Sequence, residues 1–172
     1  MSGGGRVTIA PAIEKQEWGG ITRFTWNRGH WTIAEGAIHA HCSEDADAWT
    51  GSAYLRDVTV TADITPLAGR SHLVAARVQG TSRFYAAGFD GDDAVILKED
   101  HGTAVLARVP FKRALGKAYR IELTAKGEAL TLSVDGTNLL TAADASFAYG
   151  MVGLRMASAG RMAVGRLEVE DF

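Results

Sequence analysis

A single cysteine, Cys42, rules out any disulfide within the chain, so the redox compartment stays open. A lone thiol of this kind reads as a small buried side chain rather than a nucleophile. Charge of one sign is also scarce. Lys and Arg number 18 against 20 Asp and Glu, for a net charge of −2. Without a basic surplus or a long charged run, the electrostatic footprint of a nucleic-acid binder is missing. No apolar stretch approaches the length of a membrane helix. Neither nucleic acid nor membrane is therefore expected as a partner. The opening MSGGGRVTIA has no apolar signal core, and its Gly cluster reads as a linker. Residues 1–5 are expected to be flexible, and 6–172 to form one domain without internal repeats. The phosphate loop, the Gly-x-Ser-x-Gly elbow and His-Glu-x-x-His are all absent.

Helical periodicity is hard to find, whereas a period of two recurs throughout. In RDVTVTADI, Val58, Val60, Ala62 and Ile64 share one face, and Asp57, Thr59, Thr61 and Asp63 the other. In 119–140, two-residue turns at Lys126-Gly127 and Asp135-Gly136 pair Leu123 with Leu130, Ile121 with Leu132, Leu132 in turn with Leu139, and Tyr119 with Val134. Further strands are expected near 6–9, 21–25, 31–34, 37–42, 49–55, 72–79, 83–90, 93–98, 103–108, 150–156 and 161–170. In the last, Met162 and Val164 share a parity that Leu167 and Val169 reverse, which predicts a β-bulge at Gly165. AADASFAYG reads as a turn or 3₁₀ segment. Many short strands separated by turn signals imply an all-β, two-sheet antiparallel sandwich.

The order of features adds a resemblance. It begins with WNRGHWTIAEGAIHA and AWTGSAYLRDVTVTADITP. HLVAARVQGTSRFYAAGFD and VILKEDHGTAVLARV follow, then the meander, then YGMVGLRMASAGRMAVGRLEVE. Over about residues 20 to 170 this grammar resembles the concanavalin A-like lectin/glucanase superfamily. Within it, the chain is similar to laminin-G-like, family-66-type carbohydrate-binding and 3-keto-disaccharide-hydrolase-like sandwiches. A fainter resemblance is to the accessory sandwich that follows some bacterial ADP-ribosylglycohydrolase domains. The resemblance implies a jelly-roll with a convex and a concave sheet. It also implies a glycan or similar sugar as partner, bound on the concave face or at the loops of one edge.

Candidate chemistry is sparse. The Glu-x-Asp-x-x-Glu run of the superfamily's glucanases is missing, and Glu44, Asp45 and Asp47 in SEDADAW have the wrong spacing for it. Glu168 and Glu170 read as outer-face charge. His39 and His41 share a strand face and offer two zinc ligands, but no third is apparent, and Cys42 points the other way. Asp90, Asp92 and Asp93 in an acidic turn offer carboxylate oxygens to a structural calcium; no other cofactor is expected. Trp18, Trp26, Trp31 and Trp49 crowd the first third of the chain and read mainly as core, with Trp49 also suited to a rim.

The stretch RVQGTSRFYAAGFD carries the main site expectation. With a two-residue loop, Gly80-Thr81, Arg77 faces Phe84, and Arg77 and Tyr85 land on opposite faces. With a three-residue loop, Gly80-Thr81-Ser82, Arg77 faces Tyr85, with Leu73, Ala75, Ala87 and Phe89 alongside. A guanidinium beside a phenol, bordered by alanines, makes a sugar platform. Lys98 and His101 on the next hairpin would border it. Arg77, Tyr85, Lys98 and His101 are thus the expected ligand-binding residues of a non-catalytic carbohydrate-binding accessory domain, part of a larger multidomain enzyme. Two other readings stand beside it: a structural or interaction domain appended to an enzyme, and a glycoside or keto-sugar hydrolase.

Overall fold

The structure, a computed structural model, describes residues 6–10 and 25–172. The expectations for residues 1–5, for Trp18 and for most of the 21–25 strand lie outside the described residues. Strands β1 (Arg6–Ala10), β2 (Thr25–Arg28), β3 (His30–Ala34), β4 (Ala37–Cys42) and β5 (Ala46–Thr50) come first. They are followed by β6 (Val58–Gly69), β7 (Ser71–Gly80), β8 (Arg83–Asp90), β9 (Asp93–Asp100) and β10 (Thr103–Pro110). The chain closes with β11 (Tyr119–Lys126), β12 (Ala129–Val134), β13 (Thr137–Ala143), β14 (Met151–Met156) and β15 (Gly160–Asp171). One sheet runs β13-β12-β11-β6-β15-β4-β3, with β1 also on β15; the other runs β10-β9-β8-β7-β14-β5-β2. Every pairing is antiparallel.

The core lies between the sheets because alternate residues of each strand point inward. Val58, Val60, Ala62 and Ile64 on β6 are wholly buried, as the alternation in RDVTVTADI predicts. They meet Tyr85, Ala87 and Phe89 from β8 and Val74 and Ala76 from β7 in one cluster. Burying each large aliphatic or aromatic side chain contributes about 1.5–3 kcal/mol. The predicted bulge is present: the β15–β6 register shifts between Val164 and Arg166. That one extra residue lets Met162, Val164, Leu167 and Val169 all face the core.

The meander keeps its faces but not its register. The turn falls at Gly127-Glu128, so Leu123 pairs with Leu132 and Ile121 with Val134, two residues from the expected partners. A slip of two preserves which face is buried. Beyond the Asp135-Gly136 turn, a shift at Leu132/Ser133 pairs Leu132 with Leu140 rather than Leu139. The AADASFAYG stretch ends β13 and continues as an irregular loop with bends and no 3₁₀ turn.

A second apolar cluster has a different place. Trp49, Leu73, Ala75, Val78, Phe84, Ala86, Val95 and Leu97 are buried together, with Met151 against them. All come from the second sheet, and all but Val78 have the opposite parity to that sheet's core residues; Val78 joins them because the register shifts between Ala76 and Gly80. They therefore pave its outer face. An antiparallel sheet with one face on the core commonly leaves the other polar, so this paving calls for a reason.

Candidate functional site

The polypeptide crosses between the sheets twice at one corner, from β2 to β3 through Gly29 and from β4 to β5 through 43–45. Gly29 has φ +81°, and a Cβ there would lie 2.6 Å from the Ala46 Cβ. Glycine alone permits so close a crossing. The corner encloses a cleft of about 530 Å³, lined by Arg28, His30, His41, Glu44 and Asp45 among others. That volume is typical of a small-molecule site.

Two carboxylates and two guanidinium groups interlock beneath the cleft. Asp47, wholly buried, accepts from Arg28 Nε at 2.6 Å and from Arg155 Nη1 at 2.5 Å. Asp45 accepts from Arg28 Nη1 at 2.9 Å. Burial works against the charge on Arg28, but the hydrogen bond and charge of Asp47, with Asp45 behind it, outweigh this and raise its pKa. The Arg28 side chain remains 40% exposed and Asp45 30%. These two are the accessible end of an ion network whose buried end is fixed. Along the wall, His30 and His41 are cross-strand partners with ring centroids 4.7 Å apart. Donor fork, carboxylates and imidazole rings thus converge on one space.

The network reaches the paved outer face through Arg155, whose guanidinium lies 5.5 Å over the Phe84 ring. Phe84 in turn meets Trp49, at 5.3 Å between centroids. The indole fits because its register partner on β14 is Gly153, where a Cβ would come within 2.6 Å of Trp49 Cε3. Ala75 and Ala86 continue the row and leave space for Phe84. The Trp49 indole N–H finds no acceptor among the described residues. Trp49 and Phe84 are themselves buried, so they set the shape of the floor while Arg28 and Asp45 face solvent.

The residues expected from the hairpin assemble elsewhere. Its loop is Thr81-Ser82, with Gly80 opposite Arg83, and neither anticipated loop occurs. Ala76, not Arg77, pairs with Tyr85, and a register shift between Ala76 and Gly80 leaves Arg77 at φ +51°. Tyr85 belongs to the core between the sheets rather than to an outer concave face, which corrects the expected geometry. Leu73 and Ala75 do share an outer face with alanine neighbours, but its aromatic is Phe84 and its arginine Arg155.

Arg77, Tyr85 and Lys98 do come together, around the loop after β13. Arg77 is 2% exposed, and its guanidinium donates to the carbonyls of Arg56, Gly127 and Phe147 at 2.7–3.0 Å. Tyr85 donates to Asp144 at 2.6 Å and accepts from the Phe147 amide at 3.1 Å. Lys98 donates to Asp144 at 2.9 Å and to Ser146 at 3.0 Å. Burial, with the Asp144 hydrogen bond, pushes the Tyr85 phenol up to about 12. His101 stands apart, exposed in the β9–β10 turn at φ +54°.

The metal expectations meet competing partners. Asp90 is engaged by Arg70 at 2.6 Å and Asp93 by Arg108 at 2.9 Å, so two of the three carboxylates of the acidic turn already have cationic partners. His39 approaches the Ala34 carbonyl at 3.3 Å while the His41 ring packs at a tilt against His30. Among the described residues no three His, Cys, Asp or Glu side chains converge on a metal position. Burial raises the Cys42 pKa, and its thiol donates to the Ser158 carbonyl at 3.3 Å.

SEDADAW and IHAHC gave sequence signals for Glu44, Asp45, Asp47, Trp49 and His41, each read singly. What ties Asp45 and Asp47 together from behind is Arg155, 108 positions from Asp47, and no local pattern shows that pairing.

No protein-family model matches the chain, and no curated protein matches it. Solved structures do. The family-66 carbohydrate-binding module from Bacillus subtilis superposes with a TM-score of 0.78 at 21% identity, covering 87% of this chain and 96% of that one. A galectin-like protein of unknown function from Bacillus subtilis gives 0.69 at 13% identity, over 97% and 94% of the two chains. The exoplasmic/lumenal domain of VIP36, in its calcium- and mannose-bound form, gives 0.70 at 11% identity, over 96% and 89%. The chain therefore has the concanavalin A-like lectin/glucanase fold, a two-sheet antiparallel jelly-roll sandwich.

Proposed function

We propose that this chain is a carbohydrate-binding module that takes a sugar in the corner cleft. The carrying observation is the Arg28–Asp45–Asp47–Arg155 network opening into a cleft of about 530 Å³ beside the His30–His41 pair. A sugar presents adjacent hydroxyls that donate and accept at once. The Arg28 fork supplies fixed donors to one, and the carboxylates of Asp45 and Glu44 supply acceptors to its neighbour. The imidazole rings, tilted 39° to each other, border the space where the sugar's C–H face would lie. The likeness to a carbohydrate-binding module and to a lectin domain with bound mannose supports the same class of ligand.

The module works without catalysis, as a single sandwich domain accessory to a larger glycan-active protein. Arg77, Tyr85 and Lys98 anchor the loop after β13 instead of touching ligand, and His101 stays outside the cleft. A broad glycan array probed with wild type and Arg28→Ala tests this. Wild type is expected to bind a restricted set of glycans and Arg28→Ala to lose them. Binding of no glycan, or equal binding by the variant, overturns the reading.

A further inference from the structure

A second accessible cleft lies at the opposite end of β5. Tyr54 is 81% exposed and Tyr149 43%, the only tyrosines among the exposed large hydrophobic residues. Between them, Gln79 and Arg83 border a cleft of about 360 Å³ based on Val78 and Met151. Both base residues belong to the paved outer face. The platform is fixed from behind. Gln79 Nε2 donates to the Tyr149 carbonyl at 3.0 Å, and Arg56 lies 5.7 Å over the Tyr149 ring. At Gly150 a Cβ would come within 2.3 Å of the Arg77 carbonyl carbon, so only glycine lets Tyr149 sit so close to β7.

We infer that the Tyr54–Tyr149 cleft is a second saccharide site, which holds another unit of a glycan chain. Two solvent-facing phenol rings on a rigid base suit the C–H face of a sugar ring. Gln79 and the half-exposed Arg83 supply hydrogen-bond donors beside them. A protein partner fits less well. The cleft has room for about one small ligand, whereas a standard interface takes about 20–30 residues a side. Along β14, from Arg155 in the ion network to Met151 at the base of this cleft, the span is about 13 Å at ~3.3 Å per residue, with the side chains between them buried. The choice of ligand rests on the carbohydrate reading of the corner cleft; the site itself rests on the tyrosines.

The test is calorimetric titration with ladders of manno-, gluco-, xylo- and arabino-oligosaccharides, from monosaccharide to hexasaccharide. Wild type is expected to bind longer chains more tightly. Tyr54→Ala and Tyr149→Ala should each weaken the longer chains about five- to tenfold. Monosaccharide binding, sensitive to Arg28→Ala, should stay unchanged, and Tyr149→Phe should bind as wild type does. If wild type gains with length but the alanine variants bind identically, the second site is overturned and the corner-cleft reading stands. If no ladder binds at all, both fall. If the alanine variants instead abolish self-association without changing sugar affinity, the cleft is a protein contact and the inference fails.

Discussion

Asp47 and Arg155 face each other across the β5–β14 pair at 2.5 Å, with the carboxylate wholly buried and the guanidinium nearly so. A buried ion pair of this kind contributes little net stability while intact but is costly to break. Asp47→Ala leaves the nearly buried Arg155 guanidinium only its long 3.5 Å contact with Asp45 and is expected to destabilise the fold by about 3 kcal/mol. Urea unfolding measures it, with the slope unchanged if only stability moves. A loss below about 1 kcal/mol, the range of exposed pairs, would show that the pair is not desolvated.

Arg77 is expected to behave as a structural residue. Arg77→Met leaves carbonyls of Arg56, Gly127 and Phe147 without their donor. Bonds from a charged donor are worth about 1.5–3 kcal/mol each, so a loss of at least about 2 kcal/mol is expected. The folded variant should bind glycans as wild type does. Lost binding at unchanged melting temperature would return Arg77 to the ligand site.

Asp144 links stability to acid. Burial alone would raise its pKa, but hydrogen bonds from Lys98, Tyr85 and Ser146 outweigh it and hold the carboxyl well below the usual carboxylate range. A depressed folded-state pKa gives stability that is present above the unfolded value of about 4 and lost as pH falls below it. The raised Tyr85 pKa acts at the other end. Its contribution is complete below the unfolded value of about 10 and is lost as pH rises towards about 12. Asp144→Asn should therefore flatten the acid limb of a melting-temperature profile. An unchanged limb would show that the Lys98–Asp144 pair carries none of it.

The Trp49 floor depends on the absence of a side chain at position 153. In Gly153→Ala the new Cβ would lie 2.0 Å from the Ala48 carbonyl oxygen and 2.6 Å from the indole. Overpacking of this kind typically costs about 1–3 kcal/mol, and backbone contact places this case at the upper end. Tryptophan fluorescence should shift as the indole is displaced. An unshifted spectrum with unchanged stability would contradict the packing described.

Much of the fold was legible because period two survives errors of register. The meander turn moved by one residue and its pairing by two, yet Leu123, Leu130 and Leu132 stayed on the buried face. The bulge at Gly165 was readable because it reverses parity within one strand. The same rule worked against the site. A bulge at Arg77 and a Thr81-Ser82 loop placed Tyr85 inside and Phe84 outside, and a one-residue difference exchanges faces. Glu44, Asp45, Asp47 and His41 were visible as chemistry but not as a site. Their meeting depends on a crossing at Gly29 and on Arg155, neither of which leaves a local trace.

The most direct test of sugar binding at the corner is amide chemical-shift mapping with the best glycan from the array. Binding should perturb Arg28, Gly29, His30, His41, Glu44 and Asp45 at saccharide concentrations that saturate the calorimetric signal, and Arg28→Ala should abolish those shifts. Shifts centred instead on Tyr85, Lys98 and His101, with the corner silent, would contradict it.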